Sequence, residues 1–373
     1  MEKTKKIILA ISTLSGTIIG VGLFSLPFIT SKVGIWLMLG YFFVLGVLVI
    51  VIHRFFGEVV LRTEGQHRLP GYAGIYLGER GKTVAIISTI FGLFGALLAY
   101  LIVGGEFLTV LLSPQLGGNN LFYTLLYFLA GAALIFFGIK AIAKIEFFGL
   151  VLFFMILAAI FFRGMPFMEA GNIFFESWKL EIRKYFFLPY GAILFSLWGA
   201  ALIPEIKEML ADSRLTRKII APAIIIPVFV YLIFIFLVLG ITGSQTSSEA
   251  IVGLKNFLGD GIVAPALFFG LLTTFTSFIA LGLTLKKVFW YDLKIPKNTA
   301  WLITMSVPMT LYFFGLQDFI KVIGLVGAVM LGIDGILIIL MYLKIVPGRK
   351  FLIYPLILVF LAGIVYEIIY FIN

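Results

Sequence analysis

The sequence predicts an all-α protein that crosses a membrane many times, built from two halves of opposite orientation. Its 373 residues are 62% hydrophobic, with a mean hydropathy of +1.15, and only 12% are charged. Soluble domains carry about a quarter charged residues. The apolar residues form stretches of about 20, the helix length that crosses a hydrocarbon core of roughly 30 Å. A membrane β-barrel is excluded, because its strands would alternate apolar and polar residues.

We predict eleven spans in a single transmembrane domain, residues 1–373. The first apolar stretch follows Lys3, Lys5 and Lys6 like a secretory signal, but it is longer than a signal core and ends without a small-residue cleavage site. We expect it to be retained. A short surface helix is expected around Leu69–Gly74. The predicted spans are 7–30, 34–53, 83–112, 121–139, 145–162, 185–206, 217–242, 262–288, 299–316, 319–343 and 351–372.

The basic residues are divided unequally between the two sides of this arrangement. With a cytoplasmic N-terminus, most of the 28 Lys and Arg residues fall inside, and the ones outside are Lys32, Arg163, Lys179, Arg183, Lys184, Lys255 and Lys321. The positive-inside rule therefore predicts a multi-pass protein of the cell (inner) membrane with its C-terminus outside.

Charge and cysteine content exclude several other classes. The net charge of +10 is spread over short loops, without a basic face and interleaved aromatic residues, so no nucleic-acid partner is expected. The chain has no cysteine, which excludes disulfides, thiolate metal sites and thiol catalysis. It has no phosphate-binding G-x-x-x-x-G-K-[ST] motif and no clustered catalytic side chains, so we do not expect an enzyme.

The first five spans overlay the second five at a displacement of about 177 residues. Gly22 to Pro27 and Gly199 to Pro204 both read Gly-x-x-x-x-Pro at matching positions. Since each repeat has an odd number of spans, the second must be inverted relative to the first, an arrangement typical of secondary transporters. The repeats cover roughly 7–162 and 185–343, and 351–372 is an extra helix. The alternative is coincidence, because Gly and Pro are common in membrane helices.

Span 1 carries three glycines near the middle of the bilayer, Gly16, Gly20 and Gly22. Each costs about 1 kcal/mol relative to alanine inside a helix, which favours an interruption. The freed amides of Gly20, Val21 and Gly22 would then suit a carboxylate, and the carbonyls of Gly16 and Ile19 would suit a cation. The alternative is a helix-packing motif, since Gly16-x-x-x-Gly20 has the spacing of small residues at membrane helix contacts.

Span 6 offers a matching turn at Phe195, Ser196, Trp198 and Gly199. An unwound turn here would expose carbonyls that accept protons from an ammonium group beside an indole ring. Together the two spans predict a main-chain site for a zwitterion. The alternative role for Trp198 is packing against lipid or protein.

Span 8 places Thr273, Thr276 and Ser277 on one helical face. Three oxygens together suit a hard cation such as Na⁺. The alternative is that these hydroxyls bond carbonyls of their own helix or join neighbouring helices.

Three carboxylates lie within or at the ends of spans, Glu106, Glu205 and Asp334. Carboxylates in lipid are costly and are usually paired or functional. Asp334, nearest the middle of its span, is the best candidate for carrying a proton, while Glu205 is close enough to the cytoplasmic end to cap the loop.

Three further side chains are assigned by position. Tyr100, midway along span 3, is a candidate for closing the site over a substrate, or else a core aromatic. His53 and His67 fall in the first cytoplasmic loop, where we expect both to be solvated.

The sequence GTIIGVGLFSLP, residues 16–27, resembles the first helix of the amino acid/polyamine/organocation permeases. Residues 195–212, FSLWGAALIPEIKEMLAD, resemble the amino acid/auxin permease branch and its bacterial aromatic amino acid permeases, as do Thr276-Ser277-Phe278 and Tyr291-Asp292-Leu293. The resemblance extends over nearly the whole chain. It implies a LeuT-type fold of five plus five inverted spans, with spans 1 and 6 discontinuous.

The resemblance also implies a set of ligands. The substrate carboxylate is expected at Gly20 to Gly22, the amine at the carbonyls of Ile19, Phe195 and Ser196, and an ion among Gly16, Ile19, Thr273, Thr276 and Ser277. Some proton-coupled relatives replace sodium with a lysine of span 5, but this span has no lysine beyond Lys144 at its edge.

The expected function is symport of an amino acid, aromatic or neutral, with H⁺ or Na⁺, by a monomer in the lipid bilayer that needs no cofactor. The alternative is a nutrient receptor subunit of the same fold, which would bind the ligand without ion-coupled flux.

Overall fold

The computed structural model describes residues 2–65, 67–138, 155–174, 182–346, 348 and 350–372. Within these residues the regular secondary structure is helical and contains no strand, which confirms the predicted all-α class. Lys144, on which the prediction about span 5 depends, lies outside the described residues.

The described helices follow the predicted spans with shifts of a few residues at most ends. They are α1 (Glu2–Ile18), α2 (Leu26–Val33), α3 (Ile35–Arg62), α4 (Leu69–Leu116), α5 (Asn120–Phe137), α6 (Met155–Phe167), α7 (Ala170–Ile173), α8 (Ile182–Tyr185), α9 (Leu188–Leu197), α10 (Ile203–Leu210), α11 (Ser213–Thr242), α12 (Ile251–Leu258), α13 (Asp260–Lys287), α14 (Lys297–Phe313), α15 (Phe319–Leu325), α16 (Leu331–Ile345) and α17 (Lys350–Ile372). Short 3₁₀ segments cover Val21–Ser25, Ala200–Leu202 and Gly243–Gln245, and π-helical segments cover Val288–Asp292 and Val326–Met330.

Eight helical segments of the described chain are long and apolar enough to cross a membrane, and one bent pair adds a ninth. The bent pair is Thr4–Ile18 with Val21–Val33, whose axes differ by 50°. Two further predicted spans correspond to α14, which has 17 residues, and to α6, which is described from Met155 onward. The count of eleven therefore stays a prediction.

The short helix expected around Leu69–Gly74 is the first part of α4. Gly78 interrupts α4 with a φ of +75°, a left-handed value that favours glycine. The chain turns there before it enters the long apolar part of the helix.

Both interrupted spans restart in the same way. A 3₁₀ segment leads into a half-helix whose second residue is proline, Pro27 in α2 and Pro204 in α10. Proline suits the first turn, because the amide it lacks has no helical partner there. The two Gly-x-x-x-x-Pro patterns thus mark equivalent local structures in the two halves of the chain.

Helix packing brings the two interruptions together. The half-helix α9 packs against α2 and against the 3₁₀ segment Val21–Ser25, and α1 packs against α10 and α11. Large apolar side chains also cover much of the exterior, including Trp36 at 74% and Phe43 at 75% exposure. A hydrocarbon environment accounts for this surface, since lipid solvates it without penalty.

Candidate functional site

The interruption in span 1 falls at its glycines. Helix α1 ends at Ile18, and Gly20 is extended, with φ −125° and ψ −157°. The Leu23 amide donates to the Gly20 carbonyl at 3.2 Å, but no backbone carbonyl of the described chain accepts from the amides of Gly20 or Gly22. The carbonyls of Gly16 and Ile19 likewise receive no backbone amide. The Gly20 amide faces the Tyr231 hydroxyl instead, while the Gly22 amide and the two carbonyls have no backbone partner.

Tyr100 covers this interruption from α4. The Val21 amide donates to the Tyr100 hydroxyl over a long distance, 3.4 Å. A Cβ built on Gly20 would lie 2.7 Å from the same oxygen, so the hydroxyl sits directly over the glycine. A bond of this length is weak and easily exchanged for a better acceptor. The role of Tyr100 as a cover of the site stays a prediction.

The interruption in span 6 has a different hydrogen-bond pattern. Helix α9 ends at Leu197, and Trp198 is extended, with φ −81° and ψ 119°. In a continuous helix the Gly199 amide would donate to the Phe195 carbonyl. It donates instead to Nε2 of His53 at 2.9 Å, and no backbone amide of the described chain reaches the Phe195 carbonyl. This turn therefore keeps a carbonyl available while its amide is occupied.

The two interruptions touch each other. A Cβ on Gly22 would lie 2.2 Å from Ser196 Oγ and 3.1 Å from Ser196 Cα, and a Cβ on Gly199 would lie 2.8 Å from Ile18 Cγ1. Both contacts are too close for any side chain larger than hydrogen. The glycines thus permit the unwinding and also permit the approach of the two segments.

Tyr231 of α11 joins both interruptions through one hydroxyl. Its oxygen lies 2.6 Å from the Ile18 carbonyl oxygen and 2.7 Å from that of Ser196, and the side chain is fully buried. In continuous helices these carbonyls would accept from the amides of Gly22 and Ala200. The one hydrogen of this hydroxyl is shared between the two carbonyls, so Tyr231 replaces part of the donor capacity that unwinding removed. Sequence reasoning missed it, because a tyrosine in an apolar span carries no distinguishing pattern.

His53 is fully buried, so the prediction that it is solvated is wrong. Helix α3 continues to Arg62, which keeps His53 within the helix packing instead of in a loop. Its ring meets the Trp198 ring edge to face, with centroids 5.2 Å apart. The indole predicted to line the site therefore also packs against α3. His67 is half-buried before α4, with its ring against Tyr72.

The predicted ion ligands are not joined by the described contacts. The Thr273 hydroxyl donates to the Gly270 carbonyl at 3.0 Å, and the Thr276 hydroxyl donates to the Thr273 carbonyl at 3.1 Å, both within α13. Ser277 is half-buried on the same helix. Helix α13 packs chiefly on α4, whereas Gly16 lies on α1, which packs on α10 and α11. The sodium site stays a prediction.

The three predicted carboxylates have different surroundings. Asp334 is buried, 7% exposed, and accepts from the Ser88 hydroxyl at 2.5 Å. Glu106 accepts from the Asn120 side-chain amide at 2.7 Å and is part of a network that links α4, α5 and α14. Glu205 is exposed in the first turn of α10, where a negative charge suits the helix N-terminus. Among these three, Asp334 is the one enclosed in the protein interior.

A small cavity, with room for about one water molecule, lies beside the span 1 interruption and is lined entirely by apolar atoms. Its walls include Phe24, Phe234 and Phe269. It lacks the polar groups that fix the orientation of a ligand. The interrupted main chain therefore remains the candidate site for a polar ligand.

An all-helical membrane protein in which two interrupted helices meet has the architecture typical of inverted-repeat transporters. The family model described as "Tryptophan/tyrosine permease family" matches residues 3–369, and the chain belongs to that family. It is a transporter of amino acids, and the prediction that it is not an enzyme is confirmed by the family.

Two solved structures show the same fold. MhsT in complex with L-phenylalanine is 14% identical, with a TM-score of 0.58, over 96% of this chain and 98% of that one. Mhp1, a nucleobase-cation-symport-1 family transporter in a closed conformation with bromovinylhydantoin bound, is 14% identical, with a TM-score of 0.61, over 88% of this chain and 76% of that one. They confirm the predicted LeuT-type fold. No curated protein matched the sequence.

Proposed function

We propose that this protein is a secondary active transporter that carries an aromatic amino acid across the cell membrane together with a proton. The chain belongs to the tryptophan/tyrosine permease family, and the structure of the similar protein MhsT is of its complex with L-phenylalanine. The proposal depends on one observation above all, the contact between an interruption that offers amides and an interruption that offers carbonyls.

The substrate carboxylate binds at the interruption in span 1. The amides of Gly20 and Gly22 have no backbone acceptor, and the Val21 amide has only its long bond to Tyr100. These amides precede the half-helix α2, whose N-terminal dipole favours a negative charge. A carboxylate oxygen that takes the place of the Tyr100 oxygen accepts from the Val21 amide and from the Tyr100 hydroxyl together.

The substrate ammonium group binds at the carbonyls. Those of Ile19 and Phe195 receive no backbone amide, and the Ser196 carbonyl keeps a second lone pair beside the one that faces Tyr231. Since Gly22 touches Ser196, the carboxylate and ammonium positions are neighbours. The spacing suits an α-amino acid, whose two charged groups share one carbon atom.

The proton is carried by Asp334. This carboxyl is enclosed between α16 and α4 and shares a short hydrogen bond with Ser88. A buried carboxylate within a membrane span is costly when charged, so its protonation changes with access to water. The threonine hydroxyls of α13 donate to carbonyls of their own helix and keep oxygen lone pairs for a cation, so sodium is the second candidate ion.

Transport follows from movement of the two inverted repeats, 7–162 and 185–343, around this site. The protein acts as a monomer, with its N-terminus in the cytoplasm and its C-terminus outside.

Uptake into proteoliposomes tests the proposal. Labelled tryptophan, tyrosine and phenylalanine are offered beside leucine, glutamate and lysine, with proton and sodium gradients imposed separately. We expect accumulation of at least one aromatic amino acid under the proton gradient alone. If none of the aromatic amino acids accumulates, the proposed substrate class is wrong. If accumulation requires a sodium gradient and no proton gradient, the proposed coupling to protons is wrong.

The Asp334→Asn variant tests the coupling role. We expect it to exchange labelled for unlabelled substrate at a normal rate while it no longer accumulates substrate against a gradient. Glu106→Gln is the matched control, because that carboxylate belongs to a network at the far end of α4. Gradient-driven accumulation by Asp334→Asn at the wild-type level would remove Asp334 from the mechanism.

A further inference from the structure

His53 lies at the centre of a hydrogen-bond chain that reaches the interruption in span 6. Its Nδ1 is 2.8 Å from the Val49 carbonyl oxygen, one turn earlier in α3, and its Nε2 is 2.9 Å from the Gly199 amide nitrogen. The side chain is fully buried. A lone histidine with both ring nitrogens engaged on main-chain groups is held in one orientation.

These partners determine the protonation state of the ring. The Gly199 amide is a donor only, so Nε2 must be an acceptor without a hydrogen. The Val49 carbonyl is an acceptor only, so Nδ1 must carry the hydrogen. The structure is therefore compatible with the neutral Nδ1–H form alone. Protonation would put a hydrogen on Nε2, opposite the Gly199 hydrogen, and the bond would be lost.

The hydrogen-bond and ring contacts of His53 within the described residues are uncharged. They are the Val49 carbonyl, the Gly199 amide and the edge-to-face contact with Trp198. Lys207 donates to the Val60 and Thr63 carbonyls, and Glu58 pairs with Arg217 and Arg62. Both of these charged residues therefore have partners of their own. The ionisable residues on the elements packed against α3 are Lys32 on α2, Tyr190 on α9, Glu205, Lys207 and Glu208 on α10, Arg214, Arg217, Lys218 and Tyr231 on α11, and Asp334, Tyr342 and Lys344 on α16.

The bond to Gly199 influences what the turn offers to a ligand. By taking the Gly199 amide, His53 prevents the turn from rewinding onto the Phe195 carbonyl. Without His53, this amide would be a buried donor that lacks an acceptor. Rewinding of the turn would give it the Phe195 carbonyl oxygen as an acceptor. Rewinding would remove a carbonyl from the ammonium position.

We propose that His53 is the positioning residue of the span 6 interruption, and that substrate binding requires its neutral Nδ1–H form, so that acidification releases the turn and the ligand together. The binding measurements rest on the proposed function. The protonation state of the ring does not, and it is tested separately.

Nitrogen NMR of the histidine rings tests the protonation state directly. The chain has two histidines, so a His67→Gln background leaves His53 as the only signal. We expect Nδ1 to carry the hydrogen and Nε2 to be hydrogen-free in lipid nanodiscs at neutral pH. A hydrogen on Nε2, in either the other neutral form or the cationic form, would overturn the proposal whatever the protein transports.

Binding of labelled tryptophan, tyrosine and phenylalanine to the purified protein, without any gradient, tests the positioning role. The variants are His53→Gln, whose carbonyl oxygen replaces Nε2 as an acceptor but does not titrate, and His53→Leu, which lacks an acceptor. The matched control is His67→Gln. At neutral pH we expect His53→Gln to bind within about threefold of the wild type and His53→Leu to bind at least tenfold more weakly.

The pH profile separates positioning from a merely structural role. We expect wild-type binding to fall on acidification and to recover on return to neutral pH, and we expect His53→Gln to lose this acid limb. Equal acid limbs in the wild type and His53→Gln would overturn the proposal, even if His53→Leu fails to fold. If the wild type binds none of the three amino acids, the proposed function fails, and the NMR result alone decides the protonation state of His53.

Discussion

The interruptions in spans 1 and 6 restart in the same way but leave different main-chain groups without a backbone partner. Both lead through a 3₁₀ segment to a proline-containing half-helix, and both use the Tyr231 hydroxyl for one carbonyl. In span 1 the Gly22 amide has no backbone acceptor, the Val21 amide has only its long bond to Tyr100, and the Ile19 carbonyl receives no backbone amide. In span 6 the amide of Gly199 is occupied by His53, and the carbonyl of Phe195 remains available.

This difference explains how two similar turns present different main-chain groups to the two ends of a ligand. The sequence repeat generates two unwound segments, each with both kinds of main-chain group. In span 6, His53 of α3 then accepts a hydrogen bond from one of these amides, that of Gly199. In the proposed site, amides of span 1 face the carboxylate, and carbonyls of both spans face the ammonium group, without a side-chain charge.

The largest effect is expected from alanine at Gly22, where the two interruptions touch. The new Cβ would lie 3.1 Å from Ser196 Cα and closer still to its side chain, so the segments must separate. Overpacking of this kind costs about 3 kcal/mol, and we expect binding of the aromatic substrate to fall roughly 100-fold. Gly40→Ala is the control, because its Cβ would meet nothing within 4 Å.

Gly20→Ala sharpens this test. Its Cβ would meet only the tip of the Tyr100 side chain, which can move aside. We therefore expect a smaller loss than for Gly22→Ala in the same binding assay. If the two variants bind equally well, the need for glycine at position 22 does not come from the contact between the two interruptions.

Tyr231→Phe is expected to weaken binding next most strongly. The change removes the one hydroxyl hydrogen that the buried Ile18 and Ser196 carbonyls share, which costs about 2 kcal/mol, or roughly 30-fold in the dissociation constant. The matched control is Tyr342→Phe, on a ring that stacks on Phe55. Equilibrium binding of wild-type strength in Tyr231→Phe would show that the two interruptions hold their shape independently of each other.

Tyr100→Phe is expected to have a moderate effect that is specific to the carboxylate. Losing one hydroxyl donor costs about 1 kcal/mol, roughly fivefold in affinity. Tryptophan amide, which has no carboxylate, should bind equally well to the variant and the wild type. An equal loss for tryptophan and its amide would place the carboxylate away from Tyr100.

The smallest effect is expected from alanine at both Thr276 and Ser277. The Thr276 hydroxyl bonds its own helix, so uptake under a proton gradient should stay within about twofold of the wild type. Uptake is measured with and without sodium. If the wild type requires sodium and the double variant does not, the predicted ion site exists, and the proton assignment to Asp334 is wrong.

Local sequence determined much of this protein. Hydropathy places the helices in a membrane, since a long apolar stretch has no other stable solvent. Gly20, Gly22 and Gly199 lie where the helices unwind, because backbone freedom depends on the residue itself, whereas Gly16 stays inside α1. The repeat of Gly and Pro at matching positions also indicated the fold that the solved structures confirm.

Tertiary structure alone decided which side chains complete the interruptions. His53 is a buried ligand of Gly199 and not a loop residue, Tyr231 serves two helices, and the hydroxyl of Thr276 turns to its own helix. Each outcome depends on which helix faces are neighbours and on which main-chain groups those faces leave unpaired. Spacing within one helix carries no information about the unpaired groups of another, so the packing of the folded chain was needed to show them.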